Sequence, residues 1–251
     1  MAKANRTLLV TGGSRGIGAA VCLLGAQHGY AVAINYAANE KAAEALAAVI
    51  IEAGGRAITI QGDVSVEADV LSMFETVDRE FGSLDAFVNN AGIVDETSQV
   101  ADMTIERLQR MIGVNLTGAI LCAREAVRRM STKRGGNGGS IVNVSSVAAT
   151  LGGAGQYVDY AASKGAIDTL TIGLAREVAV ENIRVNGVRP GIIDTEIHAS
   201  GGQPDRAAQL SHLVPVKRPG TAQEVAEAIL YLLSDKASYI MGATLDVTGG
   251  R

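Results

Sequence analysis

Thr7-Leu8-Leu9-Val10-Thr11-Gly12-Gly13-Ser14-Arg15-Gly16-Ile17-Gly18 is the stretch on which the reading of the fold depends. Four apolar or β-branched residues predict a buried strand, and a helical pattern follows the glycines to about His28. Glycine lacks a Cβ, so a turn built from it folds tightly and leaves backbone N–H groups approachable. The helix that follows aims the positive end of its dipole at the same place. A glycine-rich turn is weak evidence by itself. Set between the first strand and first helix of a βαβ unit, it predicts a cradle for the pyrophosphate of a dinucleotide.

Working outward, the same rhythm continues to the C-terminus. Ala31–Asn35 precedes a helix over Asn39–Ala53, and Ala57–Ile60 precedes one over Glu67–Phe81. Leu84–Val88 leads through Asn89-Asn90-Ala91-Gly92 into a long helix over Thr104–Ser131. Ser140–Val144 is followed by a helix over Tyr157–Val180, and Ile183–Val188 is a sixth strand. A helix near Ala222–Leu233 and a strand at Thr244–Val247 close the set. Strands apolar throughout are expected where helices cover both faces of a parallel sheet. Regular alternation implies right-handed βαβ crossovers. The prediction is therefore an α/β protein: a Rossmann-type doubly wound parallel sheet of about seven strands, with helices on both faces. Nothing marks a linker, so residues 1–251 read as one nucleotide-binding domain. An irregular stretch at about 195–219, with Gly201-Gly202, Pro204, Pro215 and Pro219, reads as a substrate lid.

Composition narrows the function. Cys22 and Cys122 fall in apolar helical patterns rather than in CxxC or His-rich settings, so they read as buried reduced thiols. No residues stand at metal-ligand spacing, and no metal is expected. A net charge of −4, no Trp and no basic run longer than Arg128-Arg129 argue against nucleic acid as a partner. No apolar run approaches the ~18 residues that span a bilayer. The N-terminal residues Met1-Ala2-Lys3-Ala4-Asn5-Arg6 carry no signal core, so a cytoplasmic location without membrane attachment is expected.

An NAD site usually ends its second strand in an acidic residue bonded to the ribose 2′-OH. Here that strand ends Ile34-Asn35-Tyr36-Ala37, with no carboxylate before Glu40. Arg15, inside the glycine turn, offers a cation to a 2′-phosphate. The bland alternative is an arginine solvated at a helix start. NADP(H) is the expected cofactor, with NAD(H) as the alternative. Candidate contacts are Gly12, Ser14, Arg15, Gly16, Ile17 and Gly18 in the turn, and Asn35 and Tyr36 at the end of strand two. Asp63-Val64 after strand three and Asn89, Ala91 and Gly92 after strand four join them. Each of the last two groups is explicable alone as a turn at a strand end. Together they mark the carboxyl ends of successive strands, where open α/β sheets bind ligands.

Tyr160-Ala161-Ala162-Ser163-Lys164 puts a phenol and an ammonium at i and i+4 on one helix face. An ammonium favours phenolate and lowers a tyrosine pKa, which suits proton exchange with a carbonyl oxygen. Alone, this pair is as readily an ordinary surface contact. Ser145-Ser146 lies just upstream and offers hydrogen bonds to a developing alkoxide. Asn115 sits in an apolar helical stretch where asparagine is unfavourable, and holding a water near Lys164 would explain it.

In this order and at about this spacing, these motifs with Pro190-Gly191 resemble the short-chain dehydrogenase/reductase superfamily, compact single-domain type, over essentially the whole chain. The likeness is nearest to bacterial glucose/ribitol-type or uncharacterised oxidoreductases and more distant to 3-oxoacyl-carrier-protein reductases. It implies a tetrad of Asn115, Ser146, Tyr160 and Lys164, with Tyr160 and Lys164 also contacting the cofactor and Lys164 binding the nicotinamide ribose. It places Pro190, Gly191, Ile193 and Thr195 at the carboxamide, Ile193 through its backbone. It further implies a homotetramer built on the long helices and the C-terminal segment. The reaction expected is hydride transfer between NADP(H) and a small ketone, aldehyde or sugar-like substrate. Reduction of an acyl chain on a carrier protein ranks second, docking through Arg128-Arg129 and Lys133-Arg134, and a non-catalytic NADP(H) sensor is the reading of another class. Ser146 stands fourteen residues before Tyr160, one more than the commonest family spacing, which predicts a longer loop through Leu151–Gly155. Tyr157 lacks a lysine at i+4 and reads as packing or loop lining, while His198 and His212 read as lid residues.

Overall fold

The computed structural model describes residues 6–196, 201–203 and 205–251. Its strands are β1 (Thr7–Val10), β2 (Ala31–Tyr36), β3 (Arg56–Gln61), β4 (Ala86–Asn89), β5 (Gly139–Val144), β6 (Ile183–Pro190), β7 (Ile193–Asp194), β8 (Gly220–Thr221) and β9 (Thr244–Val247). All but β7 and β8 form one seven-stranded sheet in the order β3-β2-β1-β4-β5-β6-β9. Every pairing in it is parallel, with Leu8 opposite both Val32 and Ala86, for example. The order reverses between β1 and β4, and their carboxyl ends open a crevice at that point.

The helices are α1 (Gly16–Gln27), α2 (Glu40–Glu52), α3 (Glu67–Phe81), α4 (Ile105–Ile112), α5 (Ala119–Met130), α6 (Ala148–Leu151), α7 (Val158–Val178), α8 (Arg206–Gln209) and α9 (Ala222–Leu233). Side chains of one strand alternate between two cores. Leu8, Val10, Val32 and Ile34 pack with α1, α2 and α9 through Val21, Cys22, Ile50 and Ile229. Leu9, Ala33, Phe87 and Ile141 pack the other way, against Phe74 of α3, Met130 of α5 and Val178 of α7. Both faces are covered, so β1, β2 and β4 are buried along their whole length. That is why they read as unbroken apolar runs.

Two features depart from the sequence reading. The long helix expected over Thr104–Ser131 divides into α4 and α5, joined by a π-helical turn at Gly113–Gly118. Such turns insert a residue into the i→i−4 ladder and occur often at functional sites. Gly118 lets this turn seat on the end of β3's loop, where an added Cβ would lie 2.7 Å from the Val64 carbonyl oxygen. Second, the irregular stretch has a short parallel base: β7 pairs with β8, Ile193 opposite Gly220. The chain leaves the sheet at one of these strands and returns at the other, enclosing α8 and a small cluster of Ile192, Ala207 and Val214.

Candidate active site

Tyr160 lies in the first turn of α7 and Lys164 one turn later on the same face. That turn is anchored from α4, where Arg107 Nε donates to Asp159 Oδ2 at 2.8 Å and Nη2 to Oδ1 at 3.2 Å. Burial works to raise the Asp159 carboxyl, but the Arg107 fork outweighs it and holds the group below its ordinary range. Burial pushes the Tyr160 phenol up to about 12; a hydrogen bond from Ser146 opposes this and the neighbouring Tyr157 adds to it. Lys164 is 4% exposed, and burial drives its ammonium down to about 8 while Asp168 pulls the other way. The sequence predicts a phenol lowered by its lysine. In the structure Lys164 Nζ donates to the Val144 carbonyl at 2.8 Å and stands 5.8 Å from the Tyr160 ring centroid, so burial prevails over the cation.

The two serines separate cleanly. Ser145 Oγ turns inward and donates to the Lys164 carbonyl at 3.0 Å, whereas Ser146 meets the Tyr160 hydroxyl. The additional residue before Tyr160 is taken up by α6 and the left-handed Gly152 and Gly153 that end it. Asn115 is 1% exposed and in the middle of the π-helical turn. Its Oδ1 accepts from Ile93 N at 2.8 Å, and its Nδ2 donates to Ile93 O at 2.9 Å and to Ser163 Oγ at 3.3 Å. A Cβ added to Gly92 would lie 3.4 Å from both Asn115 Oδ1 and Lys164 Nζ, so the three groups converge. The asparagine side chain thus ties the Ile93 backbone to Ser163 of α7.

At the glycine turn, Gly12 and Gly16 hold φ of +61° and +53°, left-handed values that favour glycine. A Cβ at Gly18 would sit 2.3 Å from the Gly12 carbonyl oxygen. Among the described residues no side chain caps α1 at Arg15, so its first N–H groups remain available to an anion. A concave glycine cradle at an uncapped helix start fits a pyrophosphate. Arg15 is exposed beside it, and Ser14 is half-buried. Gly16 faces Thr195, 3.4 Å away from where its Cβ would be.

The other predicted contacts divide. Asn35 does not face the crevice: its Oδ1 accepts from Gly12 N at 3.1 Å and its Nδ2 donates to Gly62 O at 3.0 Å, bracing the turn from below. Tyr36 is buried and its hydroxyl donates to Glu40, the first carboxylate after β2, at 3.3 Å. Asp63 closes a local turn by accepting from the backbone and hydroxyl of Ser65, at 2.8 and 2.7 Å, and Val64 packs under Gly118. Asn89 requires a correction. Its amide donates into the core, to Ala119 O at 2.9 Å and Asn143 Oδ1 at 3.3 Å. Strand alternation turns its neighbour Asn90 toward the crevice instead, where Nδ2 donates to the Thr11 and Gly12 carbonyls. Ala91 N donates to Thr11 Oγ1 at 3.1 Å.

A cavity of about 330 Å³ joins these groups. Ile17, Gly92, Ser146, Tyr160 and Lys164 line one side, Pro190, Gly191, Ile193 and Thr195 another, and lid residues Arg206, Leu210 and Leu213 cover it. Tyr157 stands edge-on to Tyr160, ring centroids 5.8 Å apart, and donor contacts from Arg206 reach its hydroxyl. Sequence gives Arg206 no role of its own: it sits in a stretch without periodicity, and its partners Gln156 and Tyr157 lie far away along the chain. His212 contacts the Gln209 carbonyl at 2.9 Å; His198 lies outside the described residues. Three of the four cations considered for carrier docking are engaged, Arg128 and Arg129 with Glu125, Arg129 also with Asp78, and Lys133 with Glu181.

A family model described as enoyl-(acyl carrier protein) reductase matches residues 12–251. The chain is 56% identical to the uncharacterized oxidoreductase YgfF of Escherichia coli over 97% of its own length and 98% of that protein's. It is 39% identical to a cis-4-hydroxycyclohexanecarboxylate dehydrogenase of Sinomonas cyclohexanicum, covering 98% of this chain and 96% of that one. It is also 39% identical to a 3beta-hydroxysteroid dehydrogenase of Eggerthella lenta, covering 98% and 93%. A double mutant of a Serratia marcescens short-chain dehydrogenase/reductase superposes with a TM-score of 0.89 at 36% identity, over 98% of this chain and 97% of that one. Sequence and architecture agree along nearly the entire length, and the chain belongs to the short-chain dehydrogenase/reductase family, an oxidoreductase acting on a hydroxyl/carbonyl pair.

Proposed function

We propose that this enzyme reduces a small ketone or aldehyde, or oxidises the corresponding alcohol, with NADP(H) preferred over NAD(H). When bound, the nicotinamide supplies or accepts the hydride. The observation that carries the assignment is the constellation of half-buried Ser146 and Tyr160 with buried Lys164, opening on the cavity beside the glycine cradle. Tyr160, with its phenol pushed up to about 12, stays protonated at neutral pH and donates that proton to the carbonyl oxygen. Ser146, already hydrogen-bonded to Tyr160, offers its hydroxyl to the same oxygen. Lys164 stabilises the phenolate left behind and reaches the ribose hydroxyls. Asn115 is a positioning residue: it clamps Ile93 and thereby holds Gly92 against Lys164.

The cradle at Gly12, Ser14, Gly16, Ile17 and Gly18 would hold the pyrophosphate, and Pro190, Gly191, Ile193 and Thr195 the carboxamide. Preference for the 2′-phosphate rests on exposed Arg15 and on a β2 that ends without a carboxylate. Two relatives are named for secondary alcohols on six-membered rings, and we take a ring ketone as the first substrate class to try. The paired state of Arg128, Arg129 and Lys133 speaks against carrier-protein docking. We read the protein as one cytoplasmic domain that assembles as a homotetramer. Exposed Ile112 and Ile120 beside the π-helical turn, Ile172 on α7, and Tyr239 and Leu245 support that assembly; light scattering that returned the monomer mass would refute it.

The decisive experiment measures oxidation of NADPH and NADH over a panel of ketones and aldehydes in wild type and Tyr160→Phe. The wild type is expected to favour NADPH in kcat/KM, and Tyr160→Phe to lose about a thousandfold in kcat while still binding NADPH. Undiminished turnover in the variant would overturn the mechanism, and a preference for NADH would overturn the role of Arg15.

A further inference from the structure

We propose that the substrate carries a carboxylate, and that Arg206 of the lid binds it; this rests on the hydroxyl/carbonyl chemistry assigned above to Tyr160. Arg206 lies on the cavity lining, and its side-chain hydrogen bonds among the described residues go to neutral groups. Nη1 donates to Gln203 Oε1 at 2.6 Å, and Nη2 donates to Gln156 Oε1 at 2.6 Å and to the Tyr157 hydroxyl. Among the described residues no carboxylate is within ion-pair distance of it, whereas Arg107, Arg124, Arg129, Arg189 and Arg218 all have one. A guanidinium held by neutral acceptors has no described carboxylate to balance its charge, and a carboxylate that takes the place of Gln156 and Tyr157 on Nη2 gains two parallel, charge-assisted hydrogen bonds where neutral ones stood.

The rest of the lining does not cancel that charge. Asp95 is committed to Arg110. Lys164 is buried and bonded to the Val144 carbonyl. Arg251 also reaches the lining and adds a second positive charge there. The walls between are apolar, including Val94, Val147, Leu151 and Leu213. Position fits as well. The Tyr157 ring touches both functional groups, 5.8 Å from the Tyr160 ring and 5.1 Å from the Arg206 guanidinium carbon, so these two stand no more than about 11 Å apart on the same cavity. An apolar body with a carbonyl at one end and a carboxylate at the other, an oxo acid or hydroxy acid, matches this arrangement.

The test is the reduction of 4-oxocyclohexanecarboxylate and of its methyl ester, with NADPH and with NADH, by wild type, Arg206→Gln and Arg206→Lys. Acid and ester differ chiefly in charge. The wild type should prefer the acid by about tenfold or more in kcat/KM, the worth of a charge-assisted pair. Arg206→Gln should lose that preference through a raised KM for the acid alone, and Arg206→Lys should keep part of it. Equal turnover of acid and ester by the wild type, or a Gln variant that depresses both alike, overturns the inference and leaves the reductase assignment intact. Calorimetry with unreactive cyclohexanecarboxylate separates the remaining outcomes. Binding that needs Arg206 without turnover of either ketone supports the carboxylate site and counts against the reaction. Neither turnover nor binding overturns the inference.

Discussion

The glycine turn and the lid face each other across the same cavity, and they are held in opposite ways. The turn presents backbone atoms that three side chains hold from beneath: Asn35 Oδ1 accepts from Gly12 N, Asn90 Nδ2 donates to the Thr11 and Gly12 carbonyls, and Thr11 Oγ1 accepts from the N–H groups of Asn90 and Ala91. The lid is tied through side chains, Arg206 to Gln156, Gln203 and Tyr157, over a cluster of three small apolar residues. Except at Thr11, Asn35 and Asn90 beneath it, a surface made of backbone N–H groups keeps its shape under side-chain replacements. A lid held by side chains changes with each of them. The first arrangement suits a ligand whose recognised part never varies, and the second suits a site that must be specific to one substrate.

Breaking the turn should therefore have the largest effect. In Gly18→Ala the new Cβ would lie 2.3 Å from the Gly12 carbonyl oxygen, 2.7 Å from Asn90 Nδ2 and 3.0 Å from Gly13 Cα. Two of these are backbone atoms that cannot rotate away, so α1 must shift off the turn. Overpacking of this kind costs about 1–3 kcal/mol. The expected outcome is a lower melting temperature together with a cofactor KM raised by tenfold or more, and a normal cofactor KM would mean that the cradle is not where the pyrophosphate binds.

The same contrast accounts for what could be read from sequence. β1, β2 and β4 are legible because both faces are covered and most of their residues are apolar, and the turn is legible because left-handed φ values and close approach demand glycine. Tyr160, Lys164 and Ser146 follow from helix spacing and order along the chain. Other features escaped for identifiable reasons. Asn89 and Asn90 are chemically identical, and only the strand's period of two decides which one faces the crevice. Asn115 is visibly out of place in a helix, but the π-helical turn around it depends on packing against Ile93 and Val64. Arg206 meets Gln156 across fifty residues of sequence, and no local pattern records such a meeting.

A change in charge beneath the catalytic groups should have a smaller effect than breaking the turn. Lys164 ionises near 8 because it is buried. Its ammonium is needed to stabilise the phenolate, so kcat/KM for reduction should fall as pH rises through about 8. Asp168 raises the Lys164 pKa, so in Asp168→Asn this limb should move to lower pH. Asp168 also pairs with Arg189, which keeps Asp246 as a partner in the variant. An alkaline limb that stayed in place in Asp168→Asn would show that Lys164 is not the group being titrated.

The mildest change belongs to the lid side, at a glycine that nothing crowds. Gly152 ends α6 at φ +78°, and an added Cβ would meet no atom within 4 Å. Gly152→Ala therefore carries only the left-handed backbone penalty, about 1 kcal/mol, or about 2–4 °C in Tm for a chain of this size. Its cofactor KM should match that of the wild type, since the loop joins Ser146 to Tyr157 and touches the cradle nowhere. Whatever shift in substrate KM appears then measures how firmly the Tyr157–Arg206 clasp holds when the loop beneath it is strained. If instead the cofactor KM moved as far as in Gly18→Ala, the two sides of the cavity would be coupled, and the division between a backbone-built and a side-chain-built half would fail.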